Sequence, residues 1–304
     1  MTLQAFLDEH FGGEEHAELR QQVTSFTEGF DVADVKKVST QALYNEWKNE
    51  YGPNFRITQG YGQLINYLYT ECLKNHCTVL TSSPVLQIDW QKNKVQVVTK
   101  NGQVHEANKV IFSAPIHLLH TSNPEVSVDF NPEIPNYRKA SSEIGFGEVV
   151  KVVVGFEKSF WKSDTMFVFG KGDFPTWWTQ LPNDAPVLVG WAGGPKAAIL
   201  SGDTNEVILE KALQSLADIF AKSISEIKDI LKYSHVANWQ TAAYSVGAYS
   251  YDYPSSIKAR ALLNTPINDT IYFAGESLYD GDHPGTVEAA LVSAKKVADK
   301  ILDA

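Results

Sequence analysis

Residues 271–302 constrain this chain more than any other stretch. Ile271-Tyr-Phe-Ala274 reads as a short buried strand ending in Gly275-Glu276. A loop follows, and Pro284-Gly285 opens a helix. Its apolar positions Val287, Ala290, Leu291, Ala294, Val297, Ala298, Ile301 and Leu302 recur at helical spacing. A strand that delivers an acid beside a glycine-led helix start belongs to an α/β architecture. The N–H groups of such a helix start, with the dipole behind them, can bind the edge of a flat, hydrogen-bonding cofactor.

The chain has 304 residues, 43% of them apolar, enough for one large core or two intertwined ones. A net charge of −10 excludes the basic stripe that a nucleic-acid partner requires. Cys72 and Cys77 are the only cysteines, too few for a disulfide scaffold or a four-thiolate metal site. They point to a reducing, cytoplasmic compartment. Met1-Thr-Leu-Gln-Ala-Phe lacks the basic start and apolar core of a signal peptide, and no apolar run approaches membrane-spanning length. No membrane association is expected, and the chain stops at Ala304 without a membrane tail.

Residues 2–48 read as mostly helical, with a stripe at Leu3, Phe6 and Leu7 and an interruption at Gly12-Gly13. Gly52-Pro53 breaks the chain. Arg56-Ile-Thr-Gln-Gly-Tyr-Gly-Gln-Leu then leads into an amphipathic helix carrying Leu64, Ile65, Leu68 and Cys72. From Thr78 the texture is that of strands: short Val79-Leu80, alternating Val85 to Trp90, and Val95, Val97 and Val104 flanking the hairpin signal Asn101-Gly102. Val110 to Pro115 reads as a buried strand. Beyond it lie the long strands Val149–Phe156 and Val187–Trp191 and a helix carrying Val207, Leu209, Leu213, Leu216 and Phe220.

Several of these blocks together resemble the flavin-containing amine oxidase family, which includes monoamine and polyamine oxidases. They are Gly102 to Pro115, Phe156-Glu-Lys-Ser-Phe-Trp161, Asn238-Trp239, Gly247-Ala-Tyr-Ser-Tyr251 and the segment from Ile271 onward. The resemblance implies an α/β fold with an α+β substrate domain, of the two-domain FAD/NAD(P)-binding amine oxidase type. It divides the chain into a helical part of the substrate domain (1–77), part of the FAD-binding domain (78–120), the substrate-binding domain (121–262) and a C-terminal return to the FAD-binding domain (263–304).

What the resemblance leaves unmatched is the family's first Rossmann βαβ unit, with its Gly-rich turn and ribose-binding acid. Gly60-Tyr-Gly-Gln-Leu-Ile65 imitates that turn but has Ile at the third glycine, and Gly145-Phe-Gly147 leads into a strand rather than a helix. Without the central strand, Val110-Ile-Phe and Ile271-Tyr-Phe-Ala are expected to face an open edge or a gap. The chain is therefore expected to be a fragment or split half that works with a complementary chain carrying the N-terminal FAD-binding half.

Three candidate catalytic residues follow. Lys151 interrupts Glu148-Val-Val-Lys-Val-Val-Val-Gly, a strand otherwise apolar on both faces. Its ammonium there must be hydrated, paired or deprotonated, unless the strand is an edge with Lys151 turned to solvent. The resemblance gives it the role of holding a water against flavin N5. Tyr249 resembles one wall of an aromatic substrate box, with Trp239 as a further aromatic of that box; core packing is the alternative for both. Thr286 stands where monoamine oxidases place the opposite wall.

The resemblance implies cofactor contacts from Gly275 and Glu276, from the helix-start N–H groups of Gly285, Thr286 and Val287, and from Val85 at the adenine end. Ala248 occupies the position of the flavin-linking cysteine of monoamine oxidases, so the FAD would be non-covalent. Asp280-Gly-Asp282-His283 offers ligand types, but no second cluster completes a metal site, so no metal is expected.

The implied reaction is hydride transfer from the C–H of a small-molecule amine to flavin N5, followed by imine hydrolysis and reoxidation by oxygen to give hydrogen peroxide. Two other readings stand beside it. One is an inactive remnant or interaction subunit that keeps the fold without binding FAD on its own. The other is a flavin-dependent C–C desaturase or porphyrinogen oxidase-like enzyme.

Overall fold

Alternation along residues 149–156 places Val150, Val152 and Val154, all fully buried, on one face of a strand and leaves Lys151 and Val153 half-buried on the other. Each such burial stabilises by about 1.5–3 kcal/mol relative to exposure, which fixes the register. The computed structural model describes residues 1–48, 57, 59–281 and 283–303.

Within these residues the chain opens with helices α1 (Leu3–His10), α2 (Ala17–Gly29), α3 (Thr40–Trp47) and α4 (Gly62–Lys74). Next come β1 (Val85–Gln91), β2 (Lys94–Thr99), β3 (Val104–Ala107), β4 (Val110–Phe112), β5 (Asp129–Asn131), α5 (Pro135–Ser142) and β6 (Ile144–Phe146). The middle of the chain forms β7 (Val149–Phe156), β8 (Phe167–Phe169), β9 (Thr176–Trp178), β10 (Val187–Gly193), α6 (Pro195–Leu200), α7 (Asn205–Ile219), α8 (Ile224–Asp229) and β11 (Leu231–Asn238). It closes with β12 (Ser250–Asp252), α9 (Ser256–Leu263), β13 (Ile271–Phe273) and α10 (Val287–Leu302).

The largest sheet is antiparallel, in the order β11-β7-β10-β9-β8. Its core face carries the three buried valines, and α6, α7 and α8 cover it with Leu200, Ile208, Leu213, Leu216 and Ile227. Helix starts follow from capping: Thr2, Ser39, Thr204 and Thr286 each accept a bond from the first turn, and Ser223 with Glu226 forms a reciprocal box at α8. A second sheet, β3-β2-β1-β5, contains the expected hairpin, with Gly102 at φ +81° supplying the turn. Strands β13 and β4 pair in parallel as a two-stranded sheet. They share a core with Ile88, Val95, Phe130, Ile144 and Leu263.

The structure corrects five expectations, and all concern apolar surface. Val79-Leu80 forms no strand and both side chains are exposed. Strand β4 stops at Phe112 rather than running buried to Pro115, and Ile111 on it is 45% exposed. The apolar face of α4 packs against nothing described: Ile65 is 62% exposed, and Leu68 and Leu73 are exposed too. On α10 the packed positions are Ala289, Ser293 and Val297, while Val287, Leu291 and Leu302 point outward. In α7, likewise, Val207 is exposed and Ile208 takes the core position.

The first two differences share a cause. Strands are stabilised by neighbours, and the described residues supply no third strand to the β13–β4 pair. Gly52-Pro53 and the lead-in residues Arg56 and Thr58 lie outside the described residues. No helix among the described residues is long and apolar enough to cross a membrane.

Candidate active site

The turn that ends α2 accepts hydrogen bonds from two aromatic side chains through consecutive carbonyls. Trp191 of β10 donates from Nε1 to the Gly29 carbonyl at 2.7 Å, and the Tyr249 hydroxyl donates to the Phe30 carbonyl. Glycine makes the approach feasible: a Cβ on Gly193 would lie 2.8 Å from the Gly29 oxygen, and one on Gly194 would lie 2.7 Å from that of Glu28. This same packing disposes of the strand–Gly-Gly–helix passage from β10 into α6 as a phosphate cradle, because α2 already fills it.

Lys151 sits on the open face of the large sheet. It is paired across the strands with Trp191 on one side and Ala237 on the other. Strand β7 is therefore interior, and the edge-strand alternative is overturned. Its ammonium lies 5.2 Å from the Trp191 ring centroid and 5.7 Å from that of Trp178. Those π-faces offset part of the desolvation. Burial pushes the Lys151 pKa down, because a low-dielectric surround disfavours the cation.

Tyr249 and the helix start meet directly. Gly285 has φ +69°, and a Cβ there would come 2.9 Å from the Tyr249 ring. The Tyr249 carbonyl is held by Gly147 N–H at 2.8 Å. Burial, and then the charges of Asp31, Glu46 and Glu276, raise the phenol's pKa, so Tyr249 stays neutral. Tyr249, Gly285 and Thr286 line a cavity of about 620 Å³ together with Asp31, Glu46 and Arg260.

Glu276 stands just behind this wall. It accepts from Ser250 N–H at 3.1 Å, Ser250 Oγ at 2.8 Å and Ser277 Oγ at 3.0 Å. Burial raises its pKa and these bonds oppose the rise. Its carboxylate thus braces β12 beside Tyr249 instead of lying in solvent. Gly275, at φ +149°, donates its N–H to Ser293 of α10 at 3.1 Å and has open space where a side chain would be.

The other sequence candidates lie apart. Trp239 is 46% exposed on a 3₁₀ turn after β11 and does not line the cavity. Val85 begins β1 in the second sheet, and Val287 is the exposed first residue of α10. Ala248 donates its N–H to the Gly147 carbonyl. In the Asp280–His283 loop, where no metal is expected, Asp280 is bound by Lys296 and Asp282 lies outside the described residues.

Asp31 was missed entirely by sequence reasoning. It falls in the stretch 2–48 read as mostly helical, where nothing singles it out, yet it is 5% exposed. Burial and the Glu46 charge lift its pKa to about 8. The unfolded chain loses this proton near pH 4, whereas the native state keeps it to about pH 8. Native stability conferred by the proton is therefore lost as pH rises, by about 1.4 kcal/mol per unit where the states differ by a full proton. His117, whose pKa burial and His120 depress to about 4, acts oppositely below about pH 6.5. The clean window is thus pH 6.5–8. Denaturant titrations should show wild type losing stability across it relative to Asp31→Asn; parallel pH profiles would refute the assignment.

The fit to a flavin is one-sided. Gly285, Thr286 and Val287 present the first-turn N–H groups of α10 beside Tyr249 and the cavity, and Gly275 leaves backbone accessible. These suit the ring end. Among the described residues, no parallel strand runs through a glycine turn into a helix at an open site, so nothing described suits the pyrophosphate.

Comparison with known proteins agrees with this picture. The family model for flavin-containing amine oxidoreductase matches residues 2–302. Lysine-specific histone demethylase 1 homolog 3 of Arabidopsis thaliana is 30% identical over 268 residues, 83% of this chain and 16% of the relative. Polyamine oxidase 2 of the same plant is 25% identical over 91% of this chain and 55% of its own length. The chain thus spans only a part, from about a sixth to about half, of these curated relatives. A putrescine oxidase solved with putrescine superposes with a TM-score of 0.80 at 19% identity, covering 100% of this chain and 68% of the other. Cyclohexylamine oxidase from Brevibacterium oxydans gives 0.76 at 18% identity, covering 99% and 67%. These structural likenesses establish the α/β amine oxidase fold, and the match along residues 2–302 places the chain in the flavin-containing amine oxidoreductase family.

Proposed function

We propose that this chain supplies the substrate cavity and the ring-facing half of an FAD-dependent amine oxidase. The observation that carries the reading is the contact of Tyr249 with Gly285 at the start of α10 on the cavity wall; the Gly29 and Phe30 carbonyls tie Tyr249 to Trp191 beside Lys151, and neither Lys151 nor Trp191 lines that cavity. Relatives named polyamine oxidase and histone demethylase support an amine as the substrate.

When bound, FAD would accept hydride from the amine C–H and pass the electron pair to oxygen. The protein's own groups supply the rest. Tyr249, kept neutral, walls the cavity and excludes water from the reacting carbon, with Trp239 as an outer aromatic. Lys151, whose burial weakens its hold on a proton, holds the water and moves the proton at the reacting centre. Gly285, Thr286 and Val287 hold the pyrimidine edge of the ring, Gly275 and Glu276 lie toward the ribityl chain, and Val85 lies toward the adenine. Ala248 offers no sulfur, so attachment is non-covalent. Residues 78–120 and 263–304 form the flavin side, whereas 1–77 and 121–262 form the substrate side. The exposed thiols of Cys72 and Cys77 fit a reducing, cytoplasmic setting.

The bare apolar faces of α4, α10 and β4 support a further part of this reading. A complementary segment carrying the strand–glycine-turn–helix unit would cover them and complete the pyrophosphate site. The same bare faces favour a second reading, in which the chain by itself keeps the fold without holding FAD. Visible spectra separate the two. The chain mixed with FAD and desalted should lose the flavin bands. Adding a complementary chain should restore them, and an amine should then bleach them. Flavin retained by the chain alone would remove the need for a complement. A flavin-loaded complex that no amine bleaches would sink the oxidase reading.

A further inference from the structure

The chain's two thiols take no part in the oxidation chemistry. Unpaired cysteine is among the most buried residue types. Yet Cys72 and Cys77, the only two cysteines in the sequence, are both free and both exposed.

One backbone motif holds the pair. Helix α4 ends at Lys74 with Asn75 as its cap, and His76 follows at φ +60°, the left-handed conformation that reverses the chain. The His76 N–H donates to the Leu73 carbonyl at 3.1 Å, and the Cys77 N–H donates to the Cys72 carbonyl at 2.9 Å. These two bonds define a Schellman cap, which brings the third-from-last helical residue against the second residue past the cap. Cys72 and Cys77 occupy those two places. With standard backbone dimensions, the 2.9 Å bond leaves their Cα atoms no more than about 6.8 Å apart. A disulfide bridges Cα separations of roughly 4.4–6.8 Å.

His76 is an unusual occupant of that turn. The left-handed position favours glycine, because a Cβ there crowds the following carbonyl. The turn also closes a helix that has no buried residue of its own. A covalent link from Cys72 to Cys77 would fix what two backbone bonds now hold. A metal is not the alternative: among the described residues, no three His, Cys, Asp or Glu side chains are grouped to hold one.

We propose that Cys72 and Cys77 form a peroxide-reactive dithiol, which a hydroperoxide converts into an intrachain disulfide across the end of α4. One thiolate attacks the peroxide O–O bond. That bond breaks, the sulfur becomes a sulfenic acid, and one oxygen leaves as water. The second thiol displaces the sulfenic oxygen as a second water, and the S–S bond forms. The two thiols give up two electrons and two protons, and hydrogen peroxide takes them up as two waters. In reducing compartments, disulfides are of this transient, redox-sensing kind. The proposal rests on the amine-oxidation reading only for the source of the oxidant, since that reaction releases hydrogen peroxide.

The test adds hydrogen peroxide directly to the reduced full chain, without flavin or amine. The chain should lose two hydrogens by mass. Lys74 lies between the cysteines, so trypsin should separate them unless the disulfide joins the two peptides, and dithiothreitol should release them. In a glutathione redox buffer, the effective concentration of the pair should be at least about ten-fold higher in the folded chain than in denaturing urea, because the cap preorganises it. His76→Pro removes the cap's N–H and its positive φ and should erase that ratio. His76→Gly keeps the cap and should retain it, which separates the turn from the imidazole.

An effective concentration no higher in the folded chain, a ratio that survives His76→Pro, or peroxide products without the Cys72–Cys77 link would each overturn the proposal. Peroxide release from an amine by the flavin-loaded complex is scored separately. Release of peroxide with the pair inert to added peroxide retires this proposal alone. A disulfide formed by added peroxide, with no peroxide released from any amine, retires the oxidase reading and leaves this one standing.

Discussion

Replacing Arg260 with leucine should lower the unfolding free energy by about 3–5 kcal/mol, the usual cost of breaking a buried ion pair from one side. Arg260 is 8% exposed. It donates from Nε to the Ser277 carbonyl at 3.0 Å and grips both oxygens of Asp252 through its two terminal nitrogens. One side chain thereby clamps α9, β12 and the Glu276 turn. Leucine fills part of the volume but leaves the Asp252 carboxylate and the Ser277 carbonyl without their donor. Urea titration of Arg260→Leu, Asp252→Asn and the double variant measures the clamp. The double variant should recover part of the loss, because the stranded charge is then gone. A loss below about 1 kcal/mol in Arg260→Leu would place this pair with weak surface bridges and refute the clamp.

The other large effect concerns chemistry rather than folding. Lys151→Met keeps the stem length and removes the ammonium from between two indoles, so the unfolding midpoint should hold or rise. Amine turnover of the flavin-loaded complex should fall on the order of 10²-fold or more, the typical contribution of a positioned proton-transfer group. Lys151→Arg should not rescue it, since guanidinium stays charged and demands a different geometry. If Lys151→Met turns over like wild type, Lys151 serves only to pack the tryptophans.

How far the sequence could be read depends on which forces decided each element. Hairpin β2–β3 and strands β7 and β10 were legible because alternation and turn chemistry act locally. Lys151 was legible because a charge within an apolar strand is conspicuous whatever surrounds it. On α10, periodicity found the helix but hydropathy chose the wrong face. Small residues Ala289 and Ser293 face the packed side, so that the helix can approach closely, while the larger Val287 and Leu291 remain outside. Asp31 was illegible for a different reason. The tertiary approach of α3 and the segment around Tyr249 buries it, and a lone acid in the sequence gives no sign of that. Glu276 was found from its place after β13, but its engagement with Ser250 depends on a contact spanning 26 residues.

The two neighbouring carbonyls at the end of α2 have a mechanical consequence. The indole beside Lys151 and the phenol beside Gly285 hang from adjacent peptide units, so the gap between them is governed by the two backbone torsions at Phe30. A one-residue insertion at this point would shift one pivot relative to the other by up to about 3.8 Å. Proteins drawing variation from loop length can move most side chains independently, but these two rings are both carried by the one turn that ends α2.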